Sequence, residues 1–228
     1  RRFFEGLPSF HDDFPTHKPL FLTLTVKNCA ISDLRSTISH MHSSWNRMAK
    51  LRGFPTKFWF RRTEVTKQSS KIGAHVGPVV HPHMHVLLFV PAGYFSRGYI
   101  KQSEWRALWQ MSARLDYAPI VDVRRAKPNS RSGGLPIDES RMASIEAAKY
   151  GTKATDLIAM GTALGESNRQ IKGLRLSAVS GSLRPYISDT PIATDQLVDA
   201  DQVDPQNSMR AKALWFDDIG EYLFTEID

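Results

Sequence analysis

Alternation of apolar and polar positions predicts the first strand of the chain. Residues 20–26 (LFLTLTV) place four aliphatic side chains on one face, and Phe21 with two threonines on the other. Because side chains of a strand alternate between two faces, this pattern predicts a strand with one face in the core. Residues 6–18 carry two prolines and two histidines without periodicity. We therefore expect residues 1–19 to form an irregular N-terminal arm.

Apolar spacings of three and four residues predict a helix after this strand. Ser32 or Asp33 can cap its N-terminus, and Gly53 lies beyond its end. His40 and His42 are expected on its solvent-exposed sides. The side chains that the spacing predicts to be buried are Leu34, Ile38, Met41, Trp45 and Met48.

A second amphipathic helix is predicted from Ser103, its expected cap, with Glu104 in the first turn. Its apolar stripe, expected in the core, consists of Trp105, Leu108, Trp109 and Met111 or Ala113. Residues 117–124 follow it and predict a further strand.

Two more strands carry the polar side chains that suggest chemistry. On residues 58–66, Glu64 shares a face with Arg62 and Thr66, and on residues 81–90, His83 shares a face with His85. The connecting loop contains Gly and Pro, so the two strands are expected to be antiparallel neighbours. This pairing would bring Glu64 beside the two imidazoles.

Two imidazoles and one carboxylate are suitable ligands for Mg²⁺, Mn²⁺ or a similar ion. The alternative for His83 and His85 is a polar strand end with two hydrogen-bonded histidines, which we would favour about two to one for an isolated His-x-His. The alternative for Glu64 is an ion pair with Arg62 or Arg61. The order of motifs along the whole chain favours the metal site.

Residues 140–153 have a helix-forming composition that ends or bends near Gly151. Glu146 and Tyr150 are four residues apart and therefore neighbours on one face, and Lys153 follows three residues later. A phenol, a carboxylate and an ammonium can thus lie together. For an isolated tyrosine, an ordinary position on a helix surface is the simpler explanation.

Composition adds a polyanionic partner to this picture. The 228 residues, 41% hydrophobic, suit one compact domain or one domain with an appendage. The 30 Lys+Arg against 23 Asp+Glu give a formal charge of +7, which favours a polyanion such as nucleic acid. Basic residues in the 125–138 loop suit a phosphate backbone, although a solvated loop explains them equally well.

The single cysteine, Cys29, excludes an internal disulfide and favours a reducing compartment. No apolar run approaches the ~20 residues of a membrane span.

The C-terminal part of the chain changes in composition. Residues 187–209 contain five aspartates, two prolines and no basic residue, which suggests an acidic linker or excursion. Residues 210–228 contain apolar clusters that we expect to pack on the core.

Taken in order, four motifs resemble those of HUH endonucleases, in particular the bacterial rolling-circle plasmid replication initiators of the Rep type. FLTLT at residues 21–25 is similar to the first motif, TEVT at 63–66 to the acidic strand and HMH at 83–85 to the histidine-hydrophobic-histidine motif. Residues 146–153 are similar to the tyrosine motif. The resemblance covers most of residues 20–186, and this range would form the nicking domain.

This resemblance implies the α+β class, with a central antiparallel β-sheet flanked by helices in the ferredoxin/RRM-like arrangement of the HUH fold. It implies a divalent metal, Mn²⁺ or Mg²⁺, held by His83, His85 and Glu64. Tyr150 would attack one DNA strand, giving a 5′-phosphotyrosine and a free 3′-OH. Lys153 would assist it.

Further roles follow from the same resemblance. Glu146 would activate water in a terminating cleavage. The partners would be single-stranded or hairpin DNA at a plasmid origin and a host helicase and polymerase in the bacterial cytoplasm, with no membrane, and a homodimer is compatible with it. The expected DNA contacts are Lys149, Arg124, Arg125, Lys127 and Arg131.

Three alternatives remain. A mobilisation relaxase or an HUH transposase would use the same chemistry at other DNA sites. A non-catalytic DNA-binding module would bind DNA without cleaving it. A metal-dependent hydrolase of small substrates would need neither Tyr150 nor the basic loop.

Overall fold

The computed structural model describes residues 7–68, 78–125, 163–188, 211–216 and 221–226. Its elements, in chain order, are α1 (Leu7–Asp13), β1 (Lys18–Thr25), β2 (Cys29–Ala30), a 3₁₀ turn (Ile31–Asp33), α2 (Leu34–Met48), β3 (Trp59–Gln68), β4 (Val79–Val90), a 3₁₀ turn (Ala92–Phe95), α3 (Gln102–Ala113), β5 (Val121–Arg125), α4 (Ala163–Ile171), β6 (Ser177–Val179), α5 (Pro185–Ser188), β7 (Ala211–Phe216) and β8 (Glu221–Glu226). None of the helices in these ranges is long and apolar enough to span a bilayer.

Strands β1 to β6 form one sheet in the order β5-β1-β4-β3-β6, with β2 beside β4. Every pairing in it is antiparallel. The predicted α+β class, an antiparallel sheet flanked by helices, is therefore confirmed. Strands β7 and β8 form an antiparallel pair in a second compact unit, Pro191–Asp228. The predicted domain boundaries and the predicted packing of residues 210–228 on the core stay predictions.

Helices α2 and α3 pack on one side of the sheet, which we call the α2/α3 face. Leu22 of β1 and Val86 of β4 join Trp45, Trp105 and Trp109 of the helices in the largest apolar cluster. All five α2 side chains predicted to be buried are 0% exposed. The three- and four-residue spacing thus identified the buried side of α2. Met41, Trp45 and Met48 pack in the large cluster with β1 and β4, and Leu34 and Ile38 pack in a second cluster with Val80 and Ala163.

The opposite side, which we call the histidine face, is covered at one end by α1 and α5. There Phe10 of α1 is 0% exposed, and its ring lies 5.0 Å from that of Phe58 and 4.8 Å from that of Phe89. The prediction that residues 1–19 are irregular is wrong for Leu7–Asp13. Burial of Leu7 and Phe10 stabilises a helix too short to persist alone.

Two helix starts differ from the sequence prediction. Helix α3 begins after Lys101, whose N–H donates to the Glu104 carboxylate at 2.6 Å, so Ser103 is not the cap. Of the two alternatives for its last buried position, Ala113 is buried and Met111 is 58% exposed. At the start of α2, the side chain of Asp33 forms no cap hydrogen bond.

Two other local predictions need correction. Strand β5 begins at Val121 rather than at residue 117, and Ile120 is 75% exposed. His42 is half-buried rather than on a wet side, because its Nε2 lies 2.9 Å from Oγ1 of Thr63 on β3. Burial, followed by the charge of Arg61, lowers the pKa of His42 to about 4.

Candidate metal centre

The pairing of β3 with β4 brings the three predicted ligands together. The register places Glu64 opposite His83 and Arg62 opposite His85, so the prediction that these strands are antiparallel neighbours is confirmed. Directly opposed residues share a face, and residues two apart on one strand share it too. Glu64, His83 and His85 therefore all point to the histidine face.

The ligand atoms are as close as a shared ion would require. Glu64 Oε2 lies 3.1 Å from Nε2 of His83 and 3.0 Å from Nε2 of His85, and the three ligand atoms lie within 4.8 Å of one another. Neighbouring ligands of an ion with bonds of about 2.1 Å at right angles would be about 3 Å apart. The group can hold a metal ion. The side chains are only 11–13% exposed, so little reorganisation would be needed on binding.

The hydrogen-bond partners of His83 also suit a bound metal ion. Its Nδ1 lies 3.2 Å from the carbonyl oxygen of His81, while its Nε2 faces the Glu64 carboxylate. Both partners are acceptors, but a neutral imidazole carries one N–H and cannot donate to both. With Nδ1–H donating to the carbonyl, the lone pair of Nε2 would be free to bind a metal ion.

His85 is oriented by a residue that the sequence did not single out. Its Nδ1 lies 3.2 Å from the hydroxyl of Thr23, which the β1–β4 register places directly opposite. Thr23 was visible as a polar residue on the less apolar face of the first strand. Its role became assignable only when β1 was known to pair with β4, since alternation within one strand does not identify its neighbour.

A third imidazole, that of His81, also lies on the histidine face, next to that of His83. Its ring is stacked on that of His83 at 5.4 Å, and its Nδ1 lies 2.7 Å from Oδ1 of Asn28. Burial, and then His83, lower the pKa of His81. Neither His81 nor Asn28 had been assigned a role from sequence.

The protonation states suit metal binding. Burial opposes ionisation of Glu64, but hydrogen bonds and charges from His83 and His85 outweigh it and lower its pKa to about 2. Burial is the main cause that lowers the pKa of His85. At neutral pH the carboxylate is therefore charged and the His85 imidazole neutral, the forms in which both can act as ligands.

The remaining predicted site residues are only partly placed. Arg124 lies on the histidine face and pairs with Asp122 at 2.7 Å. Arg125 lies on the other face, 4.8 Å above the ring of Phe95, so the sheet separates these two predicted DNA contacts. The predicted residues that lie outside the described ranges are Tyr150, Glu146, Lys149, Lys153, Lys127 and Arg131.

Replacing Glu64 with Gln should weaken divalent metal binding, because it removes the charged ligand of the group while keeping its size. We expect a loss of about tenfold or more in affinity for Mn²⁺, measured by calorimetry on the full chain. Glu104→Gln, a matched change on α3, should leave the affinity unchanged. Coinciding titrations of Glu64→Gln and the parent would make Glu64 a structural partner of the histidines.

Comparison with known proteins gives one consistent result. A family model described as "Replication protein" (Rep_1) matches residues 1–218. A "Protein rep" of Bacillus amyloliquefaciens is 36% identical over 148 residues, which are 61% of this chain and 42% of that protein. A "Protein rep" of Streptococcus pneumoniae is 37% identical over 149 residues, or 63% of this chain and 42% of that protein.

A "Replication protein" of Staphylococcus aureus is 33% identical over 149 residues, and the match covers 59% of its length. The chain thus spans about half the length of the curated relatives it matches. No solved structure matches it significantly. Because the family model covers nearly the whole sequence, the chain belongs to the Rep_1 family of replication proteins.

Proposed function

We propose that this protein is a replication initiator that nicks one DNA strand at a plasmid origin, and that the free 3′-OH then primes rolling-circle replication. The observation that carries the proposal is the group formed by Glu64, His83 and His85 on paired strands of a replication-protein chain. It supports chemistry at a phosphodiester, because a compact divalent-ion site is a common means of polarising a phosphoryl oxygen.

His83, His85 and Glu64 would hold the ion, Mn²⁺ or Mg²⁺, with Thr23 orienting the His85 ring. When bound, the ion would supply Lewis acidity at the scissile phosphate. Because its pKa is lowered to about 2, the carboxyl group of Glu64 is ionised at neutral pH and can act as the charged ligand.

Tyr150 would supply the nucleophile. Its phenol loses a proton, its oxygen forms a bond to phosphorus, and the bond from phosphorus to the 3′ oxygen breaks. The leaving oxygen gains a proton to become the 3′-OH, and the 5′ end remains on the tyrosine. Lys153 and Lys149, three residues beyond and one before it, would stabilise the phenolate or the phosphate by their positive charge.

DNA binding would rest on phosphate contacts. Arg124 lies on the same face as the metal group, and the basic residues Lys127 and Arg131 follow β5 along the chain. The net charge of +7 supports a single-stranded or hairpin DNA partner. We place this activity in the bacterial cytoplasm, together with a host helicase and polymerase, and a homodimer is compatible with it.

The test is direct. The full chain is incubated with short single-stranded oligonucleotides and Mn²⁺, and the products are separated under denaturing conditions. A covalent protein–DNA adduct that requires the metal supports the proposal. Retarded DNA without any adduct in several metals and sequences would identify a DNA-binding module instead.

Glu146→Ala should separate the two cleavage steps. Glu146 is one helical turn before Tyr150 in the predicted helix and is our candidate for the base that activates water in the terminating cleavage. We expect adduct formation at nearly the parent's rate and hydrolytic release of DNA slower by ~10²–10⁴-fold. The release of labelled DNA from isolated adduct measures this.

The control for this change is Glu166→Ala. Glu166 of α4 pairs with Arg169 on the surface, so its loss should alter neither step. If Glu146→Ala slows formation and release of the adduct equally, Glu146 merely orders the helix through a nearby lysine. The second nucleophile would then be Tyr150 of another copy of the chain.

A further inference from the structure

Arg61 is a buried cation on the side of the sheet away from the metal group. Residues 61 and 64 of β3 point to opposite faces, and the register places Arg61 between Val86 of β4 and Ala178 of β6. Only 5% of Arg61 is exposed. It therefore lies in the α2/α3 face, one step from the edge strand β6.

Two of the three guanidinium nitrogens of Arg61, Nε and Nη1, are buried and make no hydrogen bond. Most buried charged groups are paired, because an unpaired donor in the interior loses its water without compensation. Two donors of the Arg61 fork are thus left without an acceptor among the described side chains and backbone groups. This is the arrangement expected of a binding site for an acceptor.

The groups around Arg61 favour the binding of an anion. Burial, and then the positive charge of Arg175, lower the pKa of Arg61 to about 10. Arg175 is exposed and precedes β6, and His42 of α2 adjoins Arg61 closely enough for the guanidinium charge to lower the His42 pKa. No carboxylate in the described ranges contributes to the shift of Arg61. The positive charges of Arg61 and Arg175 therefore repel each other, and no described carboxylate offsets this effect on the Arg61 pKa.

We propose that Arg61, together with Arg175 and beside His42, forms an oxyanion site that binds a phosphate group. The planar guanidinium offers parallel N–H donors that match two phosphate oxygens, and the nearby Arg175 adds charge from the surface. The phosphate belongs either to free phosphate or a nucleotide, or to a nucleic-acid backbone. The site lies across the sheet from Glu64, His83 and His85, so it does not depend on the nicking activity proposed above.

The experiment measures ligand-induced stabilisation of the full chain in the presence of a chelator, which removes any metal contribution. The melting temperature is followed against inorganic phosphate and against sodium chloride of equal ionic strength. In a second arm, binding of a short single-stranded oligonucleotide is measured without metal. The parent should respond specifically in at least one arm.

Arg61→Met is the decisive variant, because Met has similar length and no donors. Without ligand it should melt at or above the parent's temperature, since an unpaired buried charge is removed. Its affinity for the responsive ligand should fall by at least about tenfold, the loss expected for charge-assisted hydrogen bonds. Arg175→Ala, a change at an exposed position that should not disturb folding, should weaken binding severalfold. Arg52→Met, an equal loss of charge in the exposed turn after α2, should not.

The arms also identify the source of the phosphate. A response to inorganic phosphate assigns a free phosphate or nucleotide, and a response only to the oligonucleotide assigns the nucleic-acid backbone. Equal behaviour of Arg61→Met and Arg52→Met in both arms would overturn the proposal. So would Arg175→Ala binding like the parent, if Arg61→Met failed to fold.

Discussion

His83→Ala and His85→Ala should each abolish DNA cleavage while leaving the fold and most of the DNA affinity intact. Each change removes one of the two imidazoles whose Nε2 atoms lie 3.1 and 3.0 Å from Oε2 of Glu64. Metal assistance to phosphoryl chemistry is worth several kcal/mol, so we expect cleavage to slow by at least about a thousandfold. Affinity should change by less than about threefold, because phosphate contacts rather than the metal supply most of the binding energy.

Three measurements check this expectation on the same samples: cleavage of a labelled strand, retention of that strand in metal-free buffer, and the melting temperature. His40→Ala is the matched control, since His40 is an exposed histidine of α2 whose Nε2 bonds only the carbonyl oxygen of Ala113 among described groups. A parallel loss of cleavage and binding in His83→Ala, with an unchanged melting temperature, would argue that the histidines contact DNA directly. Chelation of the parent should reproduce the cleavage defect.

Strand alternation was sufficient to place His83 and His85 on one face, because that property is local. It could not fix which residue of β3 would stand opposite His83. A shift of one residue in the register would have turned Glu64 to the opposite face. The prediction succeeded because the Gly- and Pro-containing segment between the two strands favours antiparallel pairing, and because Glu64 is the only carboxylate on residues 58–66.

What the sequence did not reveal depends on contacts between distant segments. Thr23 acquires its role from a histidine 62 positions away. Helix α1 is stable because Phe10 packs on Phe58 and Phe89. The burial of Arg61 was equally invisible, since an arginine in a strand next to Arg62 is ordinarily a surface residue. Local pattern identifies faces, but tertiary packing decides which polar residues on those faces are enclosed.

Tyr150→Phe should eliminate the covalent adduct with DNA, because the phenol oxygen is the only atom lost and it is the proposed nucleophile. Stability should change little, as expected for a hydroxyl removed near a helix end. Adduct formation is measured by denaturing gel, and metal binding by calorimetry should remain at the parent's level. Tyr150→Phe would thus lose the nucleophile and keep the metal ligands. His83→Ala would lose a metal ligand and keep the nucleophile.

The structure narrows the alternatives among the six tyrosines of the chain. Tyr94 is 3% exposed and its hydroxyl accepts a hydrogen bond from Trp105, so it is not free to attack DNA. Tyr99 is exposed. However, Tyr94 and Tyr99 both come after Val90, the last residue of β4, and Val90 lies roughly 16 Å along the strand from His85. Neither tyrosine is therefore well placed to attack DNA at the metal group.

Tyr117 is the better control for this experiment. Its hydroxyl accepts a hydrogen bond from the backbone N–H of Lys27 at 2.8 Å, and Lys27 follows the end of β1 that pairs with His83. The Lys27 ammonium also lies 4.1 Å from the centre of the Tyr117 ring. We expect Tyr117→Phe to form adduct at the parent's rate. Peptide mapping of the adduct to Tyr117, with activity retained in Tyr150→Phe, would transfer the nucleophilic role to Tyr117.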